Sequence, residues 1–322
     1  MAIINTENIE NIEIINQIKN REIICAFHDI DGTHSLIRNW PPVMSRVLYD
    51  TVVNGIPDNI TSKENIDRLV SLCDVEPLDE TDKFCIESAG LSALTQMEWA
   101  IRRNMEYTGG KYSSATNSKI IERIWKGEEL FDDVDEPQEY LDYLNEITPK
   151  LFWVYEQVLN EFCRNKNLQQ AKLTPEAFLV KGSMEFMNYL KELGIKNYFV
   201  TGAVVDKSAV PPMGMYEEVL GLGFEIGKGK SVEDIYGSTW TEKIPKEDVM
   251  KRLVKRLGID GKKVLVIGDG RSEISAGKEL NAVTISLLPQ NALRQRELHK
   301  EIGTDIIMEN YDMSIIKSLI HK

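Results

Sequence analysis

Five short strand-like runs, several of them almost unbroken Val, Ile, Leu and Phe, constrain what this chain can fold into more than any other feature. They lie at Ile23 to His28, Asn197 to Val200, Val264 to Ile267, Ala282 to Leu287 and Asp305 to Met308. A strand with one solvated face alternates apolar and polar residues, whereas a near-continuous apolar run fits a parallel strand buried on both faces. Helical patterns separate the later runs. Ser183 reads as the cap of a helix running to Leu193 with Gly194 behind it, and Met250, Leu253, Val254 and Leu257 form a stripe closed by Gly258. Strand, helix, strand alternation predicts an α/β fold with a doubly wound, Rossmann-like parallel sheet.

From about residue 40 to 175 no strand pattern appears, only helical periodicity: Leu94, Met97, Ile101 and Met105 step by three and four, as do Leu151, Tyr155, Val158 and Phe162. These stripes read as the core of an all-helical insertion between the first and second strands. Trp40, Pro41 and Pro42 mark its exit, and Ala171 to Pro175 its return. The first twenty residues read as an amphipathic helix or a frayed arm.

Two strands deliver acids at their tips. Phe27-His28-Asp29-Ile30-Asp31-Gly32-Thr33 runs from an apolar strand into Asp-x-Asp-Gly-Thr, and Val264 to Ile267 leads into Gly268-Asp269-Gly270-Arg271-Ser272-Glu273. The carboxyl ends of strands are where open α/β sheets bind ligands, and carboxylates this close need a cation or a proton to relieve their repulsion. Asp29 and Asp269 on adjacent tips would gather oxygen ligands of the kind Mg²⁺ takes. The second strand ends Val200-Thr201-Gly202, a hydroxyl beside a small residue, and Lys246 follows Pro245 at a helix start, with Lys243 as its competitor. The glycine-rich stretch Gly223 to Ser231 lacks the glycine a P-loop needs at Phe224 and reads as a loop and turn.

In this order the segments resemble motifs I to IV of the haloacid dehalogenase superfamily, and the Asp-Ile-Asp-Gly-Thr and Gly-Asp-Gly-Arg-Ser-Glu runs carry most of the resemblance. It implies an Mg²⁺-dependent phosphatase. Asp29 would be the nucleophile, Asp31 the general acid/base, Thr201 and Gly202 the phosphate-binding end of motif II, and Lys246 the motif III lysine. Asp29, Asp31 through its backbone carbonyl, and Asp269 would hold the metal, with Glu273 behind them. His28 and His34 depart from the usual pattern and read as neutral packing residues. The long interval between Asp31 and Thr201 is similar to that of C1-capped members. Residues 1–40 with 175–322 would then form the catalytic core and 41–174 a helical cap, with Arg38 and Trp40 at its hinge and Thr108-Gly109-Gly110-Lys111 as a tip. A closing cap implies a small phosphorylated metabolite as substrate, with a sugar phosphate favoured. A phosphomutase and a phosphometabolite-binding protein without turnover are the alternatives.

Composition narrows the partners. With 38 basic and 51 acidic residues the formal charge is −13, which argues against nucleic acid and anionic membrane surfaces as partners. No apolar stretch approaches a membrane span, and the opening residues carry acids where a signal peptide would carry bases. Cys25, Cys73, Cys85 and Cys163 show no metal-site spacing and read as reduced packing residues, so a cytoplasmic location is expected. Nothing in the sequence sets the oligomeric state.

Overall fold

A computed structural model describes residues 2–7, 9, 12–36, 40–74, 78–208, 213–240, 242 and 244–322. Arg38, Lys243 and the side chain of Trp40, singled out above, lie outside what is described. The chain divides into two compact units: Met1–Ile37 with Gln170–Gly237 and Ile244–Lys322, and Arg38–Gln169 with Ser238–Lys243.

The first unit is built on five parallel strands, numbered in chain order: β1 (Cys25–His28), β2 (Lys196–Asp206), β3 (Val264–Gly268), β4 (Val283–Leu287) and β5 (Ile306–Met308). Their spatial order is β5-β4-β3-β1-β2, with Glu13–Ile14 antiparallel on the outer edge of β5, and Met213–Gly214 and Asp234–Ser238 against β2. All five apolar runs of the sequence form these strands. Ala26 and Leu265 point into one layer with Phe186, Leu190 and Ile316, while Cys25, Phe27 and Val266 point into the opposite layer with Val249, Met250 and Leu253. Burial on both faces is why the runs lack polar alternation. The winding reverses at β1, since β2 lies on one side of it and β3 on the other, so the fold is α/β and Rossmann-like.

The opening residues differ from the helix or frayed arm expected. Ala2–Ile4 is a strand, paired antiparallel with Ile320–His321 on one side and Arg21–Ile23 on the other. Ala2 and Ile4 are buried and Ile3 is half-buried, so a period of two, set by a partner more than three hundred residues away, overrides local helical propensity.

The second unit is helical among the described residues, its longer helices being Trp40–Asn54, Ala93–Thr108 and Gln138–Leu159. Leu94, Met97 and Ile101 are buried along the first predicted stripe. In the second, Leu151, Tyr155 and Val158 are buried but Phe162 is only half-buried. The helix passes through a π turn at Asn160–Arg164, whose extra residue carries Cys163 into the core instead. Phe84 stacks on Trp99 at a centroid distance of 3.8 Å, and Trp125 meets both edge-on. No described helix is long and apolar enough to cross a membrane.

Candidate active site

Pairing of His28 with Ile267 and Phe199 sets the tip of β1 between the tip of β3 and the middle of β2, which runs on to Asp206 rather than ending at Thr201-Gly202. Asp29 extends the ladder one step, its N–H donating to the Ile267 carbonyl at 2.9 Å. The chain then turns tightly. The Ile30 carbonyl accepts from the N–H groups of Thr33, His34 and Ser35, and the Gly32 N–H donates to the Ser35 carbonyl. Gly32 has φ +75°, and a Cβ there would lie 2.1 Å from Asp269 Oδ2, so only glycine lets this turn close against the acid of the neighbouring strand. A Cβ on Gly268 would meet the Glu273 side chain at 2.2 Å. The two glycines of the motifs therefore make room for carboxylates.

Between the strand tips lies a buried ionic cluster. Lys246 Nζ sits 2.9 Å from Asp29 Oδ1 and 2.9 Å from Glu273 Oε2. Lys246 opens the helix Lys246–Leu257 and is only 2% exposed. Glu273, fully buried, also accepts from the Gly270 N–H at 2.5 Å and the Ser272 hydroxyl at 3.0 Å. It is thereby committed to holding Lys246 and the start of the helix Arg271–Glu279. Asp269 accepts from the Thr33 hydroxyl at 2.9 Å. Carboxylate oxygens of Asp29, Asp269 and Glu273 lie within 4.8 Å of one another.

Three carboxylates against one ammonium leave a negative excess in a place with little water. Burial pushes the Asp29 carboxyl up to about 7; Lys246 opposes this, while Glu273 and Asp31 add to it. Burial, then the charges of Asp29 and Glu273, hold Asp269 well above the usual carboxylate range. Burial acts on Glu273 too, but Lys246 and the Gly270 N–H outweigh it and hold its carboxyl low. For Lys246 burial disfavours the charge, yet the two carboxylates it touches keep the ammonium above its ordinary value. The oxygen-only donor set and the uncompensated charge fit a hard divalent cation held chiefly by Asp29 and Asp269.

Asp29, Lys246, Asp269 and Glu273 thus converge in direct contact or near it. Asp31 stands apart from the carboxylate cluster, half-buried, its Oδ1 accepting from the Ser35 hydroxyl at 3.0 Å. Thr201 is buried two residues beyond the Phe199 pairing; its hydroxyl accepts from the Ala203 N–H at 3.1 Å, and Gly202 follows it along β2. Lys111, in the predicted tip, pairs with Glu139 at 2.7 Å on the surface of the helical unit. Ser183 does not cap its helix: Gly182, with φ +80°, occupies the cap position and the serine hydroxyl turns to His34.

Sequence reasoning passed over three supporting residues. Thr33 was in view as the end of the motif, but a hydroxyl carries no mark of its partner. Tyr311 donates to the Thr33 carbonyl at 3.0 Å, and Asn197 accepts from His28; both come from distant segments that only the fold assembles.

Solved structures that share the fold include two described as phosphatases. A provisional phosphoglycolate phosphatase from Lactobacillus delbrueckii subsp. bulgaricus aligns with a TM-score of 0.51 at 14% identity, covering 94% of this chain and 100% of that one. A predicted phosphatase from Clostridium acetobutylicum aligns with a TM-score of 0.50 at 18% identity, covering 92% and 99%. No curated protein matches the chain by sequence. The haloacid dehalogenase-like hydrolase family matches residues 47–281, a span that takes in Thr201, Lys246, Asp269 and Glu273 though not Asp29 or Asp31, and the chain belongs to that family.

Proposed function

We propose that this hydrolase is a phosphatase of small phosphorylated metabolites that works through an aspartyl-phosphate on Asp29. The observation that carries the reading is the contact of Asp29 with Lys246 beside Asp269 at the tips of β1 and β3. Asp29, Asp269 and the Asp31 backbone carbonyl would hold Mg²⁺, whose charge, when bound, offsets that of the phosphoryl oxygens and of the crowded carboxylates.

Asp29 presents one carboxylate oxygen to phosphorus. The new O–P bond forms in line with the breaking P–O bond to the leaving alcohol. Lys246, buried and held charged, neutralises phosphoryl oxygen charge that would otherwise repel an anionic nucleophile. Asp31 gives its proton to the departing alkoxide. Afterwards it takes one from the water that attacks the aspartyl-phosphate, which returns Asp29 as carboxylate and releases inorganic phosphate. Thr201 and Gly202 would donate to the phosphate from the part of β2 beyond its pairing with β1. The helical unit would serve as the cap that excludes water and selects the substrate. Four buried free thiols support a reducing compartment such as the cytoplasm.

The test is phosphate release over a broad metabolite panel by wild type and Asp29→Asn in parallel. Wild type releases phosphate from some panel member and loses the activity with EDTA, and the variant falls by at least about 10³-fold. Undiminished release by the variant would refute the mechanism.

A further inference from the structure

Behind the Asp29 tip the first unit holds a run of polar side chains packed among Phe186, Phe199, Phe224 and Tyr311. His28 and His34 are both inaccessible to solvent. His28 Nε2 lies 3.2 Å from Asn197 Oδ1, His28 Nδ1 lies 3.0 Å from His34 Nε2, and His34 Nδ1 lies 2.6 Å from the Ser183 hydroxyl. The direction of this run can be worked out. Asn197 Nδ2 donates to the carbonyls of Met187 and Ser231, so its Oδ1 faces His28 and can only accept. His28 therefore carries its proton on Nε2. Both rings are wholly buried against Phe186 and Phe199, a setting that disfavours a charged imidazole, so His28 Nδ1 is an acceptor and His34 must donate from Nε2. His34 Nδ1 is left as an acceptor, and Ser183 donates to it. Each ring has one tautomer, and the bonds between them point from Ser183 toward Asn197; the Tyr311 hydroxyl, which donates to the Thr33 carbonyl, is a second acceptor 3.4 Å from His34 Nε2.

The run is attached to the chemistry through the turn. The carbonyl of His34 accepts from Val180 N–H at 3.0 Å, its ring stacks on Tyr311 at 5.1 Å, and the next residue, Ser35, holds the Asp31 carboxylate. Fixing His34 fixes Ser35, and Ser35 aims Asp31. Resting on the phosphatase reading for the role of Asp31, we propose that the one-way hydrogen-bond chain Ser183–His34–His28–Asn197 holds the Asp31 turn in its proton-donating position, with His34 as a positioning residue.

A positioning role for the acid has a signature that loss of packing lacks. Phenyl phosphate depends on a proton donor more than p-nitrophenyl phosphate, whose leaving group is stable as the anion. His34→Phe is expected to lower kcat/KM for phenyl phosphate by about 10- to 100-fold, and for p-nitrophenyl phosphate several-fold less. His34→Gln, which keeps an N–H donor toward His28, is expected to recover most of the loss. Equal losses on the two substrates, or no recovery with Gln in a folded protein, overturn the proposal. Imidazole ¹⁵N spectra of the full chain test the geometry without any activity: both rings appear as Nε2–H tautomers, and Asn197→Leu, which removes the acceptor that sets the direction, gives a mixture at His28. An Nδ1–H ring in the wild type, or an unchanged His28 in Asn197→Leu, also overturns it. Absence of phosphate release from wild type with the expected tautomers would instead refute the phosphatase reading alone.

Discussion

Each unit of the molecule buries an ionic cluster, and the two are built to opposite ends. In the helical unit Arg102, 1% exposed, makes a bidentate pair with Glu136 at 2.7 and 2.8 Å, a bond to Glu98 at 2.8 Å and another to Asn117 at 3.2 Å. Burial works against its charge, but these partners more than compensate, and the guanidinium stays charged. At the β1 and β3 tips one ammonium faces three carboxylates, and Asp29 and Asp269 are pushed toward protonation. The first cluster is satisfied by its own members and serves the fold. The second is left short of positive charge, and that shortage is what a bound cation would meet. Burial of charge does not mark a site by itself; imbalance does.

Deleting the cation of each cluster breaks the comparison most strongly. Lys246→Met and Arg102→Met should each cost about 3–5 kcal/mol, because each strands buried carboxylates. The rescues should differ. Adding Glu136→Leu to Arg102→Met restores much of the loss, since the one carboxylate partner left, Glu98, is the less buried of the two, whereas adding Glu273→Leu to Lys246→Met leaves both Asp29 and Asp269 unrelieved. Urea unfolding of the four variants measures this, and equal recovery of both doubles would erase the distinction.

Gly32→Ala comes next. The backbone at φ +75° and the 2.1 Å approach to Asp269 predict a loss of about 1–3 kcal/mol. Mg²⁺ should also raise the thermal midpoint less than in wild type, because the new methyl displaces the carboxylate proposed to hold the ion. A midpoint shift with Mg²⁺ equal to that of wild type would show that Asp269 does not hold the ion.

The smallest effect is on the pH dependence of metal-free stability. Asp29 is raised to about 7, so the folded state binds its proton more tightly than the unfolded chain, and this contribution to stability grows as pH falls from about 7 toward 4. His28 and His299 are pushed by burial to about 3 and about 4, so their contribution is complete above about 6.5 and is lost as pH falls below it. The two trends oppose each other in wild type. Asp29→Asn removes the Asp29 part of the first trend and leaves only that of Asp269, so its stability should drop more steeply than wild type between about pH 6.5 and 4. Parallel profiles would contradict the assigned shift of Asp29.

Legibility in the sequence follows the same divide between local and assembled features. The parallel strands could be read because burial on both faces writes itself into contiguous residues, and Asp29, Asp31, Asp269 and Glu273 could be read because each follows such a run. Lys246 had only its place after Pro245, and Lys243 competed with it. The strand Ala2–Ile4 was invisible because three residues carry too little pattern, and its partners are Arg21–Ile23 and Ile320–His321. The π turn that exchanges Phe162 for Cys163 has no signature in a period of three and four. Ser183 looked like a helix cap because serine is a common one. Its hydroxyl serves His34 because the Asp29 to Ser35 turn packs there, a circumstance that no local window contains.

The central claim is that Asp29 becomes covalently phosphorylated. Acid quenching during turnover of a panel substrate, followed by borohydride reduction and peptide mass spectrometry, reads it directly, since an aspartyl-phosphate is reduced to homoserine. The account predicts homoserine at position 29 in wild type and in no other peptide. Phosphate release at full rate with an unmodified Asp29, or with the modification on a different acid, would contradict it.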